Sequence, residues 1–519
     1  MDEDRESPGE DSSAANPRPE LSETPESPPD AASFADTPEL ELTPSSDEAS
    51  LRETAIQGGG YLAAREIAGI GLRSLGIIAV TRIIGPSSFG LYAAAAAFAT
   101  LIGNAAQMGM EVFLIRQPEE PTDELYQQVF TFLLVISLLA AGLAIGCSFL
   151  VVHFNSALEQ PQRLFVILAA SIPINVLWAP AQAKIERSFG YKRMAWLEFG
   201  GDAIFYVVAT ALALAGAGAW SLVAGFVAWQ TWLFLGSLHF SHLRLRWNWS
   251  YAVNRNLLHH GSTYSSAGIL TAATGLINPI VVGAFFGSAG VGYVALSQRL
   301  VDTLSFAARA TWRLGMVTLT KVSDSADRLT RGIEQAMTLQ LLATIGPILG
   351  VCVLANWLVP FAFGPTWTPM IPVLAWLGVA RIAASPITIE FAVLYVKSRN
   401  MIVTIATGIG GLVTLLFALI LVPTIGLAGY GIATLLSVSS MVYLHRQTLR
   451  SSTFSLVPCL RLMLPVLPIA LFPLVAMPYA FLLFAPALVA AAMPSVRREV
   501  SSNAGLVWTG LVHPNAVKR

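Results

Sequence analysis

The chain has 519 residues, 54% of them hydrophobic and only 12% charged, with a mean hydropathy of +0.62. Soluble domains carry roughly 25% charged residues, so an ordinary soluble enzyme is excluded. The formal net charge of −1 hides an asymmetry, because residues 1–53 hold sixteen Asp/Glu against three Lys/Arg and the remainder is net basic.

Residues 1–56 are rich in Glu, Asp, Ser and Pro and hold one aromatic, Phe34. Such a segment cannot bury enough apolar area to offset chain entropy, and it is expected to form a disordered acidic tail. Its first residues, MDEDRESPGEDSS, fit neither a secretory signal nor a transit peptide, so a cytoplasmic N-terminus is expected.

Crossing about 30 Å of hydrocarbon takes about 20 mostly apolar residues per helix. Twelve such runs follow from Tyr61, at approximately 61–84, 90–115, 129–152, 163–183, 194–215, 220–240, 257–286, 290–313, 333–356, 370–395, 401–422 and 426–444. A further stretch, 456–493, is broken by Pro465, Pro468, Pro473, Pro478 and Pro486 and reads as two short helices or one bent one. The fold class is therefore an all-α polytopic membrane protein of about 14 transmembrane helices, twelve plus a C-terminal pair. Lys184, Arg187, Lys192, Arg193, Arg244, Arg246, Arg399, Arg446 and Arg450 fall in alternate connections, which places those connections inward. The outward connections are short. A polar C-terminal tail, 496–519, closes the chain.

Two pairs of glycine turns repeat. Gly85-Pro-Ser-Ser-Phe-Gly90 before the second span matches Gly287-Ser-Ala-Gly-Val-Gly292 before the eighth. Gly218-Ala-Trp220 matches Gly426-Leu-Ala. The offsets, about 202 and 208 residues, describe one six-span unit used twice. An even number of spans per unit puts both copies in the same orientation, giving two parallel six-helix bundles, 57–256 and 257–450, with 451–495 as two additional helices. Parallel repeats of this kind are a transporter architecture with the site between the halves near the midplane.

A charge at the bilayer centre costs roughly 2.5–3.5 kcal/mol and needs a partner or a wet cavity. At about 1.5 Å per residue, Arg73, Arg299 and Arg381 lie about 14–18 Å in from their turns, near the midplane. Arg65, Arg82, Arg309 and Arg313 lie nearer an interface and can snorkel. Guanidinium binds anionic oxygens through paired hydrogen bonds and keeps its proton, so the three deep arginines are candidate substrate-binding residues. A structural pairing, such as Arg299 with Asp302, is the competing reading. Asp202 and Asp302 are the deepest acids; they fit coupling to an ion gradient and interhelical salt bridges equally well. Pro279, Pro173 and Pro180 interrupt the seventh and fourth spans and are candidate hinges. Cys147, Cys352 and Cys459 sit far apart in apolar runs, and the histidines, including His259-His260, show no ligand spacing. Neither a metal, a cofactor nor a nucleic-acid partner is expected.

Four stretches, Arg82-Ile-Ile-Gly-Pro-Ser-Ser-Phe-Gly-Leu-Tyr92, Ile185-Glu-Arg-Ser-Phe-Gly-Tyr-Lys-Arg-Met194, Gly218-Ala-Trp-Ser-Leu-Val-Ala-Gly225 and Phe363-Gly-Pro-Thr-Trp367, together resemble a known family. It is the oligosaccharide (O-antigen/exopolysaccharide-type) flippase family of the multidrug/oligosaccharidyl-lipid/polysaccharide exporter superfamily, and the resemblance covers about residues 57–450. The resemblance implies two six-helix bundles around a central cavity lined by spans one, two, seven and eight. It implies movement of polyprenyl-diphosphate-linked glycan across the bacterial inner membrane for surface polysaccharide assembly, beside polymerase and glycosyltransferase partners. The acidic tail departs from the family pattern. A small-molecule exporter of the same superfamily and, further off, a polytopic glycan polymerase or transferase are the alternatives. Midplane arginines disfavour organic cations, and minimal outward loops disfavour an enzyme.

Overall fold

A computed structural model describes residues 46–154, 159–305, 326–396, 399–450 and 454–494. The expectations for residues 1–45 and for the C-terminal tail lie outside these, as do Arg309 and Arg313, and so do the side chains of Arg65 and of His259-His260. Every regular element among the described residues is helical.

The N-terminal bundle begins with α1 (Ser46–Gln107), which starts inside the segment expected to be tail and is two crossings joined at a kink. The kink is at Gly85, φ 74° and ψ 173°, a conformation that L side chains rarely adopt, followed by Pro86, which needs no helical donor in a first turn. α2 (Met110–Ile115) completes the second span. α3 (Asp123–Phe154) is the third. The fourth is built from α4 (Glu159–Ala170), α5 (Ile172–Leu177) and α6 (Ala179–Arg187). Pro173 and Pro180 each open one of the later pieces, where a missing N–H costs nothing. α7 (Tyr191–Leu214) and α8 (Ala219–Ser241) pair as the fifth and sixth.

The C-terminal bundle opens with α9 (Tyr251–Thr274) and a π-helical turn, Asn278–Val282, at Pro279. α10 (Gly283–Leu304) breaks at Gly287, φ 61°, in the manner of α1. α11 (Ala326–Ala362), a 3-10 turn at Pro365–Met370, α12 (Ile371–Ala384) and α13 (Thr388–Val396) supply the ninth and tenth spans. α14 (Asn400–Ile425) and the pair α15 (Ala428–Ser437) and α16 (Ser440–Leu449) supply the last two. Beyond them the proline-rich stretch folds as α17 (Val457–Met463), 3-10 turns at Leu467–Leu474 and Tyr479–Phe484, and α18 (Ala485–Ala492). Among the described residues, Val457–Leu474 is itself long and apolar enough to cross a membrane, and Tyr479–Ala492 is a shorter apolar helix. The solvent this fold expects is written on its surface: Leu139, Leu143, Leu214 and Ile420 are at least 60% exposed, which suits acyl chains and not water.

All four repeat glycines have positive φ: Gly85, Gly218, Gly287 and Gly426. The first turn of each half also packs on its counterpart. A Cβ on Gly90 would fall on the Ser288 carbonyl, and one on Gly292 would fall on the Pro86 carbonyl. Glycine is needed here because two helix starts cross backbone to backbone. The Phe363-Gly-Pro-Thr-Trp367 motif joins the same place. Trp367 is fully buried, donates its Nε1–H to the Thr81 carbonyl at 3.3 Å, and stacks edge-on with Phe89 and Tyr293. Arg82 reaches the Phe361 carbonyl at 2.7 Å, capping the end of α11 with a cation. One face of the molecule, which carries the glycine turns, is therefore sealed by both halves. On the opposite, basic face, Arg187 of the second motif donates to the carbonyls of Leu114, Ile115 and Gln117 at 2.8–3.2 Å and so caps α2.

Candidate functional site

Arg73 lies twelve residues before the Gly85 break and Arg299 twelve residues after the Gly287 break. With the breaks packed together, both side chains project from about 18 Å below the sealed face. Arg73 Nη1 donates to Asp202 Oδ2 at 2.8 Å, both side chains being partly buried at 27% and 21% exposure. Arg299 Nη2 donates to the Tyr206 hydroxyl at 2.7 Å. Asp202 and Tyr206 are one turn apart on α7, so a single helix face presents an acceptor to each arginine. Gly76 makes this possible, since a Cβ there would enter the Tyr206 ring. The chain Arg73, Asp202, Tyr206, Arg299 thus runs from the first span through the fifth to the eighth, from one bundle to the other.

Arg381 is elsewhere. Its Nε donates to the Ser305 hydroxyl at 2.9 Å, and it lines a cavity of about 490 Å³ inside the C-terminal bundle together with Asp302, Thr271, Thr407 and Gln298. Gln298 is fixed there by donating to the Tyr430 hydroxyl at 2.9 Å. The three arginines picked by depth are therefore two groups: Arg73 and Arg299 between the bundles, Arg381 with Asp302 within one. The two candidate acids separate in the same way, Asp202 with the first group and Asp302 with the second. Among the candidate hinges, Pro279 sits in the π turn beside Asn278, whose amide donates to the Val291 carbonyl at 3.2 Å.

Sequence reasoning missed two members. Tyr206 and Ser305 are uncharged and give no signal in a scan for membrane-embedded charge. Apart from these, Glu390 of α13, an acid within a span and fully buried, meets His445 Nδ1 of α16 at 2.8 Å, a pairing of two residues 55 apart that spacing does not reveal. No group of three or more metal-ligating side chains occurs among the described residues.

The family model for polysaccharide biosynthesis proteins matches residues 79–372, more than half of the chain. The chain belongs to that family. No curated protein sequence matches it. Among solved structures it is similar to the lipid II flippase MurJ in an inward closed conformation, with a TM-score of 0.67 and 15% identity over 89% of this chain and 100% of that one. It is also similar to a multidrug resistance MATE family transporter of the MOP superfamily in an inward-facing conformation, with a TM-score of 0.53 and 16% identity over 75% of this chain and 97% of that one. At such identities the likeness is one of fold, and the fold is that of flippases and transporters.

Proposed function

We propose that this family member is an alternating-access flippase that carries polyprenyl-diphosphate-linked oligosaccharide across the inner membrane for surface polysaccharide assembly. The observation that carries the reading is the charge chain between the bundles. Two guanidinium groups at one depth, on facing halves, are held by a carboxylate and a phenol that a diphosphate can replace. Each phosphate offers acceptor oxygens in the geometry that guanidinium binds in pairs, without any proton changing hands. Arg299 is bound to a neutral hydroxyl, so a phosphate oxygen exchanges with it at lower electrostatic cost than with Arg73, which must first leave Asp202. The headgroup then bridges the halves while the prenyl chain stays in lipid, and rocking of the bundles about it changes the side on which it is exposed. Pro279, Pro173 and Pro180 are the hinges in this scheme. Asp302, beside Arg381 in the C-terminal cavity, and Asp202, beside Arg73 between the bundles, are the candidates for ion coupling. The N-terminus is cytoplasmic, and the enzymes that build and polymerise the glycan are the expected partners.

The test is transport of a fluorescent polyprenyl-diphosphate oligosaccharide in proteoliposomes. Arg299→Ala is expected to abolish flipping and Arg299→Lys to keep part of it, at equal reconstitution. Normal flipping by both Arg73→Ala and Arg299→Ala refutes the assignment. Export of an organic cation dye by the unmodified protein would favour the multidrug-type alternative.

A further inference from the structure

The segment that joins the two bundles, between the end of α8 and the start of α9, is Leu243-Arg-Leu-Arg-Trp-Asn-Trp-Ser-Tyr251. Apolar and polar residues alternate strictly, the pattern of an extended chain with two faces. Extended it is: no helix or turn forms over residues 243–250, and Ser250 has φ −124° and ψ 120°. From Leu245 onward its apolar face is uncovered. Trp247 is 69% exposed and Tyr251 80%, and Leu245 and Trp249 are exposed as well. The Trp247 and Trp249 rings stack at 6.3 Å and 15°. Arg244 and Arg246 on the other face are exposed too, with Lys192, Arg193 and Arg255 on the flanking helices.

The depth of this strap is fixed by α3. Asn248 N–H donates to Thr131 Oγ1 at 3.1 Å, and that hydroxyl reaches the Arg246 carbonyl at 3.5 Å. Leu243 is buried in the cluster that holds Tyr126, Val129 and Phe132 of the same helix. Thr131 is eight residues, about 12 Å, into a helix of 32 residues, which is about 48 Å long. Centred on about 30 Å of hydrocarbon, such a helix overhangs by about 9 Å at each end, so Thr131 marks the boundary between headgroups and acyl chains. Two opposing constraints agree with that depth. Irregular backbone with unpaired polar groups is not tolerated against the hydrocarbon core, and stacked bare indoles are not suited to bulk water; the interface accommodates both.

We infer that this strap is an interfacial anchor for acidic phospholipid, with Trp247 and Trp249 set among the glycerol and upper acyl groups and Arg244 and Arg246 held on lipid phosphates. Asp123 is bound to Lys184 Nζ at 2.7 Å and feels the Arg244 charge; with Glu119, Glu120 and Glu124 beside it in the chain, it is outnumbered by Lys184, Arg187, Lys192, Arg193, Arg244, Arg246 and Arg255. An anchor here pins the joint of the two bundles at fixed depth, which gives any rocking motion a pivot in the membrane plane. The inference goes beyond the flippase reading and does not depend on what cargo is carried.

The experiment uses the full chain in phosphatidylcholine nanodiscs with and without phosphatidylglycerol. Native mass spectrometry of the released protein should show retained phosphatidylglycerol, and Arg244→Gln with Arg246→Gln should weaken that retention about fivefold per arginine. Arg244→Lys with Arg246→Lys should retain most of it, which separates charge from folding. The emission lost in Trp247→Phe with Trp249→Phe isolates the strap's fluorescence; lipids brominated near the headgroup should quench that component more than lipids brominated near the chain end. Equal phosphatidylglycerol retention by the glutamine variant overturns the inference. So does a strap component quenched by aqueous acrylamide and by neither lipid, which would mark the face as open to water and to a soluble partner.

Discussion

Gly292→Ala probes the seal between the halves directly. A methyl at this position would meet the Pro86 carbonyl at less than contact distance, with the Pro86 carbonyl carbon at 3.1 Å and the Gly90 nitrogen at 3.2 Å. All three are backbone atoms at the start of a helix that follows a break, so no side chain can turn away. Restoring ordinary carbon–oxygen contact parts the two helices by roughly 1 Å. Overpacking of this kind costs about 1–3 kcal/mol, and here it falls on the state in which the glycine-turn face is sealed. The equilibrium between sealed and open therefore moves about 5- to 150-fold toward open. Spin labels at Ala215 and Thr424, in the paired turns of the two halves, report it by pulsed electron resonance in a Cys147→Ser background. The expected result is a new, longer distance population in Gly292→Ala and a lower thermal midpoint. Gly142→Ala and Gly346→Ala are the controls, because a Cβ at either meets nothing within 4 Å. A Gly292→Ala protein with unaltered distances and an unaltered midpoint would refute the reasoning, and so would controls that shift as far.

Arg187→Ala removes the cation that caps α2 through the Leu114, Ile115 and Gln117 carbonyls, and should destabilise the protein by about 2–3 kcal/mol while exposing residues 116–122 to protease. Intact resistance to cleavage would show that the cap is dispensable. Glu390→Ala leaves His445 without its buried partner and should cost about 3–5 kcal/mol, whereas Glu390→Gln keeps a hydrogen-bonding group there and should cost about 1 kcal/mol or less. The fraction of monodisperse protein remaining after heating ranks the two, and an equal loss in both would contradict the pairing.

The spans were legible because lipid sets a length and a polarity that each crossing must meet, and the sequence from Tyr61 meets them repeatedly. The four turn glycines were legible because positive φ leaves few other residues to use. The heights of Arg73 and Arg299 could be read with a ruler of 1.5 Å per residue. What could not be read was direction around each helix axis. Height alone grouped Arg381 with the other two, and only the rotation of α12 sends it to Ser305 and the cavity of the C-terminal bundle. Asp202 was legible as a deep acid, but its partner is 129 residues away, and Tyr206 carries no charge to betray it. At the acidic start of α1, composition argues for a tail to residue 56, and helix is seen from Ser46, where Ser-Asp-Glu precedes good helix formers.

The repeat divides the molecule into parts that obey its symmetry and parts that do not. The turn glycines obey it, as do Gly90 and Gly292, which meet each other. The charges do not. One repeat on from Arg73 stands Gly275, and one repeat back from Arg299 stands Ala97; Asp202 and Tyr206 correspond to Gly410 and Thr414. A symmetric seal can open and close by the same small motion in each half, so it supplies two arrangements of comparable energy. Asymmetric charge gives those arrangements different affinities for one ligand, and a ligand shifts an equilibrium only through such a difference. Moving Arg299 to its symmetry mate, by combining Arg299→Ala with Ala97→Arg, keeps the number of cations at that depth and removes the Tyr206 contact. Retention of full transport by that protein would mean that depth alone carries the chemistry, and loss would mean that the partner on α7 does.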